Sequence, residues 1–308
     1  MPSVSSARLI HTYTLPTGGA GPYALAVGPD GNVWCTLVHA GRIARLAPDG
    51  RIDEFPLDSP DCGPTLITAG PDGALWFTRH RDHRIGRITT DGRARSYALP
   101  GSGPGPYGIT AGPDGALWFT LLNAGSVGRI TLDGEITEHP LPVGGSGSFP
   151  SFLATAPDGA LWCTLNQEHA LARITVTGES RLFRLPTAGA APVGLAAGPD
   201  GALWFAEIGG GRIGRLDPDR PGFTEHPLPD ARCRPHAVAV APDGACWFTQ
   251  WATGRIGRIT ADGRLTEVPL PDPACEPHGL AFGPDGTLYV AQETGDVTRW
   301  DVSAATHG

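Results

Sequence analysis

The sequence contains no apolar run approaching the ~20 residues that a membrane helix requires, so no membrane partner is expected. Positive charge is scarce: 23 Lys and Arg stand against 31 Asp and Glu, a formal net charge of -8. That balance argues against a nucleic-acid surface and for a soluble protein. The six cysteines (Cys35, Cys62, Cys163, Cys233, Cys246, Cys275) form no C-x-x-C pair and suggest no disulfide framework. Residues Met1 to Ala7 hold no basic stretch followed by an apolar run, so no signal peptide is read and a cytoplasmic location is expected. No segment sustains a helical period either. Each of these absences removes a class of protein.

What the chain has instead is glycine, proline and tryptophan in rhythm. Its 308 residues include 44 Gly, 31 Pro and 8 Trp, with 40% hydrophobic residues, a composition that describes a globular protein rich in turns. Seven times it writes a variant of Gly-Pro-Asp-Gly-Ala-Leu-Trp-Phe-Thr, anchored at Trp34, Trp76, Trp118, Trp162, Trp204, Trp247 and Tyr289. The anchors are separated by 42, 42, 44, 42, 43 and 42 residues. In the unit from Pro106 to Pro142, short β-rich runs at Tyr107 to Ala111, Ala116 to Thr120, Ser126 to Thr131 and Glu135 to Leu141 are separated by turn residues. Asp-Gly between two such runs marks a hairpin, because Gly accepts the positive φ the turn demands.

Four strands in about 42 residues, repeated, describe a β-propeller blade. The final copy stops after its third strand, near Asp296 to Val302, whereas Ile10 to Pro16 resembles an isolated fourth strand. The expected fold is all-β: a single seven-bladed propeller domain over 1–308, closed by the N-terminal strand completing the last blade. Such closure removes the exposed sheet edge, and a monomer is expected.

Naming the strands of each blade A to D from the axis outward, the tight A–B and C–D turns share one face. The B–C loops and D-to-A crossings share the other, where function is expected. The crossings align on a shared Pro. The residue after it is Tyr23, Thr65, Tyr107, Ser151, Val193, His236 or His278; the residue before it is Gly21, Gly63, Gly105, Phe149, Ala191, Arg234 or Glu276. Arg, Glu and two His thus appear only at blades six and seven. Glu293 opens the B–C loop of blade seven, and ring closure brings Tyr23 alongside. Tyr23, Arg234, His236, Glu276, His278 and Glu293 are therefore expected in one sector of the channel mouth.

Two carboxylates beside a histidine suit a hard divalent cation; Mg²⁺ usually takes one or two carboxylates and keeps several waters. Glu276 and His278, two apart, would point to the same side of an extended strand, with His278 as ligand or general base. Taken alone, Glu-x-His in a loop reads as an ordinary hydrogen-bonded pair; the clustering is what points to a site. Other residues read as structural. Tyr107 shares the register of Tyr23 and is expected to pack the channel. His139 and His226 are expected at the surface, and Asp30, Asp72 and Asp114 as turn formers. Gly209-Gly210-Gly211 follows no strand–helix unit and is no phosphate loop. Cys233 and Cys275 flank the site, which leaves a thiolate–His centre for a softer metal as a minor alternative.

At these residues the chain resembles the streptogramin B lyases (virginiamycin B lyases). The seven Trp-Phe-Thr copies with Ile-Gly-Arg-Ile carry the resemblance over essentially the whole chain. The sharper matches are Gly21-Pro22-Tyr23-Ala24, Arg234-Pro235-His236-Ala237, Trp247-Phe248-Thr249-Gln250-Trp251, Glu276-Pro277-His278-Gly279 and Ala291-Gln292-Glu293. The resemblance implies a Mg²⁺-dependent enzyme that linearises cyclic type B streptogramin depsipeptides by elimination across the threonyl ester. It implies metal-site roles for Glu276 and Glu293, a proton acceptor in His278, and a substrate-binding surface of His236, Tyr23, Arg234 and Trp251. Where that family often has Glu after Trp-Phe-Thr, this chain has Leu37, Arg79, Leu121, Leu165 and Gln250, and only Glu207 keeps it. Those positions are expected to ring the mouth and alter its charge. Two other readings remain open on the residues alone: a metal-dependent lactonase or esterase, and a propeller that binds a ligand without turning it over.

Overall fold

The structure, a computed structural model, describes residues 7–143, 147–220 and 222–303. Its 28 strands form seven four-stranded antiparallel sheets arranged in a ring. In the third blade the strands are Pro106–Ala111, Leu117–Leu121, Ser126–Ile130 and Ile136–Pro140, each end within one residue of the sequence reading. Among the described residues no helix is long and apolar enough to cross a membrane.

Ring closure follows the expected pattern. Arg8–Thr14 is the outer strand of blade seven and pairs with Asp296–Asp301, from Arg8 opposite Asp301 to Thr14 opposite Asp296. Most of this strand is exposed, but Tyr13 is buried and donates from its hydroxyl to the Ala47 carbonyl at 3.0 Å. At the axis, the A strand of blade one (Pro22–Val27) contacts the A strand of blade seven (Pro277–Phe282). The two ends of the chain thereby build one continuous wall.

The repeating aromatics lie between blades, all six Trp anchors and Tyr289 being essentially inaccessible. An indole is large, apolar over most of its surface and carries one N–H that requires a partner. In the first three blades the turn aspartate supplies it: Trp34, Trp76 and Trp118 donate from Nε1 to Asp30, Asp72 and Asp114, each at 3.0 Å. The other oxygen of Asp72 accepts from Arg87 Nε at 2.7 Å, and that of Asp114 from Arg129 Nε at 2.6 Å. These aspartates therefore do more than form turns; they tie the turn to the core Trp and to the Arg of the Ile-Gly-Arg-Ile strand. His139 and His226 also differ from expectation. Each is half-buried, with its ring stacked on a core indole, Trp118 at 5.1 Å and Trp204 at 6.2 Å between centroids. They occupy the place of Phe55 and Tyr97 in blades one and two.

One local feature recurs in all seven blades and positions the site. The register between strands A and B slips just after the crossing Pro, between Pro22 and Leu25 in blade one and between Pro277 and Leu280 in blade seven. Such a bulge bends the strand and re-aims side chains. The residues it re-aims include Tyr23, His236 and His278.

Candidate active site

The residue before each crossing Pro adopts the left-handed backbone conformation. Blades one to three place Gly21, Gly63 and Gly105 there, at φ between 58° and 68°, whereas blades four to seven place Phe149, Ala191, Arg234 and Glu276, at φ between 47° and 51°. Holding a side chain in this region costs roughly 1–2 kcal/mol, and such strain gathers where function demands a particular side chain. It also overturns the reasoning from alternation. Glu276 is not in extended chain, so it does not share a side with His278: Glu276 is exposed whereas His278 is buried.

His278 is held on several sides. Its ring stacks on Tyr23 with centroids 4.4 Å apart and meets His236 edge-on at 4.6 Å. Its carbonyl accepts from Thr249 Oγ1 at 2.9 Å, and the same hydroxyl accepts from Ala237 N at 3.0 Å, joining the inner strands of blades six and seven. The Thr of Trp-Phe-Thr performs this latching in blades one to four as well. Blades five and seven have Ala206 and Ala291 instead, and there, as at Gly108 in blade three, the neighbouring backbone approaches a glycine closely. A Cβ on Gly194 would lie 2.2 Å from the His236 carbonyl oxygen, and one on Gly279 would lie 2.5 Å from that of Tyr23. Only glycine fits at either contact.

Below the histidines, aromatic rings close the channel. Tyr23, Tyr107, Phe152 and His236 meet edge-to-face in a circuit, with centroids 5.9–6.4 Å apart. Tyr107 thus packs the channel as expected, and it also shares a 2.5 Å hydrogen bond with the Tyr23 hydroxyl. Burial, then the neighbouring Tyr107, pushes the Tyr23 hydroxyl well above the usual range, and burial raises Tyr107 to about 12, so both stay phenols. Phe152 lies one position beyond the register followed in the sequence, and only its large apolar side chain hinted at a role. The axial cavity, bounded by Tyr23, Leu66, Phe152, Leu195, His236 and Leu280, is about 160 Å³. A drug-sized ligand needs roughly 300 Å³ or more, so this cavity by itself is too small to enclose one.

Glu293 supplies the charge at the mouth. One carboxylate oxygen contacts His278 Nε2, and the other contacts Nε2 of His39 at 2.8 Å. The hydrogen bond from His278, then its charge and the His39 contact, hold the Glu293 carboxyl below the ordinary range despite its partial burial. Glu293 N donates to the Glu276 carbonyl at 3.1 Å, which sets the two acidic residues side by side in the chain path. His236 is buried, and desolvation followed by the nearby His278 pushes it down to about 3, so it is neutral at any working pH. Arg234 lies over the Trp251 ring at 5.5 Å, and Trp251 approaches His278 with centroids 6.3 Å apart. The structure therefore gathers Tyr23, His236, His278, Glu293 and Trp251 with Arg234, and leaves Glu276 exposed at their edge. His39 was missed by sequence reading. It lies in the B–C loop of blade one, 254 residues from Glu293, and no motif marks it.

Two further expectations fail. The residues following Trp-Phe-Thr do not ring the mouth: Leu37, Arg79, Leu121, Leu165, Glu207 and Gln250 are all buried within the blades. Arg79 is neutralised there by Asp58 and Asp82. The thiolate alternative loses support as well: among the described residues no three His, Cys, Asp or Glu side chains gather to hold a metal.

A seven-bladed propeller with a buried, carboxylate-linked histidine over an aromatic floor defines a class: propellers that carry a polar site at the channel mouth. Residues 8–300 match the model of the Virginiamycin B lyase family, and the chain belongs to that family. It is similar over 96% of its length to virginiamycin B lyase from Staphylococcus aureus (99% of that chain, 40% identity, TM-score 0.90). A streptogramin B lyase structure superposes over 97% of this chain and 99% of its own, with 38% identity and a TM-score of 0.92. A catalytically inactive His-to-Ala variant of the Staphylococcus aureus enzyme, solved with quinupristin, matches 96% of this chain and 99% of its own at 39% identity and a TM-score of 0.90. Among curated sequences, virginiamycin B lyase of Saccharopolyspora erythraea is 53% identical over 50 residues, 16% of this chain and 17% of that protein. That of Mycobacterium sp. (strain KMS) is 65% identical over 37 residues, 12% of this chain, and the aligned stretch spans only 13% of that relative's length.

Proposed function

We propose that the protein linearises type B streptogramin depsipeptides by elimination at the threonyl ester, with His278 as proton acceptor and a Mg²⁺ ion held at Glu293 and Glu276. The observation that carries this reading is the placement of His278: buried, stacked on Tyr23, and directed through Nε2 at Glu293 beneath the mouth. Nε2 faces the Glu293 carboxylate and donates to it, so in the neutral ring the lone pair lies on Nδ1, which has no hydrogen-bond partner and is the nitrogen left to accept a proton. The macrocycle would rest on Trp251, Arg234 and the neutral His236. His278 takes the threonyl α-proton, and the C–H electron pair becomes the Cα=Cβ double bond. The Cβ–O bond breaks and the ester oxygen leaves as a carboxylate. Glu293 beside Nε2 stabilises the positive charge that His278 acquires.

Among the described residues no three His, Cys, Asp or Glu side chains form a ready-made metal cage. A cation that binds one or two carboxylates and keeps its water would take Glu293, with the exposed Glu276, joined to it through the backbone, as the second carboxylate. Bound there, it would supply the electrophile that polarises the threonyl carbonyl.

The experiment is mass spectrometry of a type B streptogramin incubated with the protein, with Mg²⁺ or with chelator. Elimination predicts a ring-opened product of unchanged mass that disappears with chelator. A product heavier by one water would assign the activity to hydrolysis instead.

The strain at Glu276 yields a separate prediction. Glu276→Gly should stabilise the fold by about 0.5–1 kcal/mol, the relief of the left-handed side chain less the added flexibility of the unfolded chain. It should also raise the Mg²⁺ concentration needed for half-maximal turnover. Urea unfolding and a Mg²⁺ titration test the two halves. A variant that is more stable and equally active would remove Glu276 from the site.

A further inference from the structure

The Glu293 carboxylate is held from two directions, and only one of them belongs to its own blade. His278 takes one oxygen; His39, from blade one, takes the other at 2.8 Å. Although His39 is among the more exposed side chains of the sector, its ring is not free to swing. Its backbone N donates to the Ala20 carbonyl at 3.0 Å. The ring lies against Gly21, so close that a Cβ on that residue would sit 2.4 Å from His39 Cδ2. Gly21, at φ 68°, is therefore favoured by the backbone turn and required by the ring above it.

The same seat recurs where the crossing residue is glycine: Arg81 lies over Gly63 and Asn123 over Gly105. Blade one is distinct because ring closure sets it beside blade seven, where the neighbouring loop carries Glu293. A side chain seated over Gly21 is thus the one such residue among the three that reaches an acidic group of the site. Without it, Glu293 keeps a partner on one oxygen only, and the carboxylate can turn about its terminal bond, which is broad and roughly two-fold.

We propose that His39 is a positioning residue: by holding one oxygen of Glu293 across the closing seam, it fixes the orientation in which the carboxylate meets His278. The inference rests on the reading of His278 and Glu293 as the working groups. What His39 contributes is an N–H donor at a fixed place. Glutamine, whose amide nitrogen can occupy the position of Nε2, should replace it, whereas alanine should not.

The test compares wild type, His39→Ala and His39→Gln by three measurements. With a type B streptogramin as substrate, His39→Ala is expected to lower kcat about 10-fold with KM changed less than about twofold, and His39→Gln to recover most of the loss. In a His278→Ala background, which removes turnover, His39→Ala should leave the Kd for the same streptogramin within about twofold. Nitrogen-15 NMR of labelled histidine, which needs no substrate, should show the His278 Nε2 signal displaced in His39→Ala and restored in His39→Gln. Unaltered kcat and an unmoved His278 signal in His39→Ala would overturn the proposal. Equal losses in the Ala and Gln variants would overturn it too, since bulk rather than the hydrogen bond would then matter. A Kd weakened as much as kcat would make His39 a substrate contact instead. If the wild type turns over no streptogramin, the proposed function fails; the NMR comparison then decides the role of His39 alone.

Discussion

Replacing His278 with alanine is expected to reduce turnover of a type B streptogramin by about 10²–10⁴-fold, the contribution typical of a positioned general base. Binding of the intact antibiotic should persist, because, of the proposed contact residues, Trp251 and Arg234 keep their mutual ring contact, and His236 its edge contacts to Tyr23 and Phe152, when the imidazole is lost. The fold should tolerate the change: Thr249 bonds the His278 carbonyl rather than its ring, and Tyr23 keeps its hydrogen bond to Tyr107. Steady-state kinetics, a binding titration and a melting curve separate the three effects. Turnover within tenfold of wild type would move the base to another group. Loss of binding in step with turnover would show that the ring serves mainly to hold substrate.

The second large effect concerns Glu207, which sequence comparison placed at the mouth and the structure buries. Neither of its carboxylate oxygens has a hydrogen-bond partner among the described residues. Burial first, and then the nearby charge of Glu225, pushes it up to about 8. Glu225, which also accepts from the backbone N of Thr187 at 3.2 Å and its hydroxyl at 2.6 Å, lies close enough to favour the protonated form of Glu207. Because the folded value lies above the unfolded one, the folded state binds the extra proton between them. The contribution of Glu207 to stability is therefore full below about pH 4.5, falls as pH rises, and levels off above about pH 8. Blade six shows how the strain is avoided: Gln250 stands at the same register and donates from Nε2 to Glu267 at 2.5 Å. Glu207→Gln should accordingly leave stability near pH 5 almost unchanged and raise it above pH 8 by on the order of 3 kcal/mol. Melting curves of both proteins across this range test the sign. If the wild-type melting point does not decline between pH 5 and pH 8 relative to the variant, Glu207 is not held protonated.

Strands, turns, blade count and closure were legible because each depends on spacing that the chain repeats. A Trp recurring every 42 to 44 residues between Pro-Asp-Gly and Ile-Gly-Arg-Ile admits one local structure, and seven copies leave only the question of how the ends meet. The unmatched strand at the N-terminus and the missing one at the C-terminus answered it. Tyr23, His236 and His278 were found by the same logic, since aligning the crossings on their Pro compares equivalent places in space.

Three misjudgements have a common cause. Glu276 and His278 were expected on one side of a strand, but the left-handed residue before Pro277 and the bulge after it break the alternation. Glu207 and its counterparts were expected at the rim, but the last residue of strand B turns into the blade, where its charge must be neutralised or protonated. His39 was not singled out at all, because its significance comes from a neighbour 254 residues away. Sequence by itself determined the repeated elements, their number and the order in which they close, because backbone geometry and burial of the aromatic anchors are local and recur with the repeat. Tertiary structure alone decided which side chains reach Glu293 and which carboxylates face water, because those outcomes depend on bulges, left-handed turns and the seam where blade one meets blade seven.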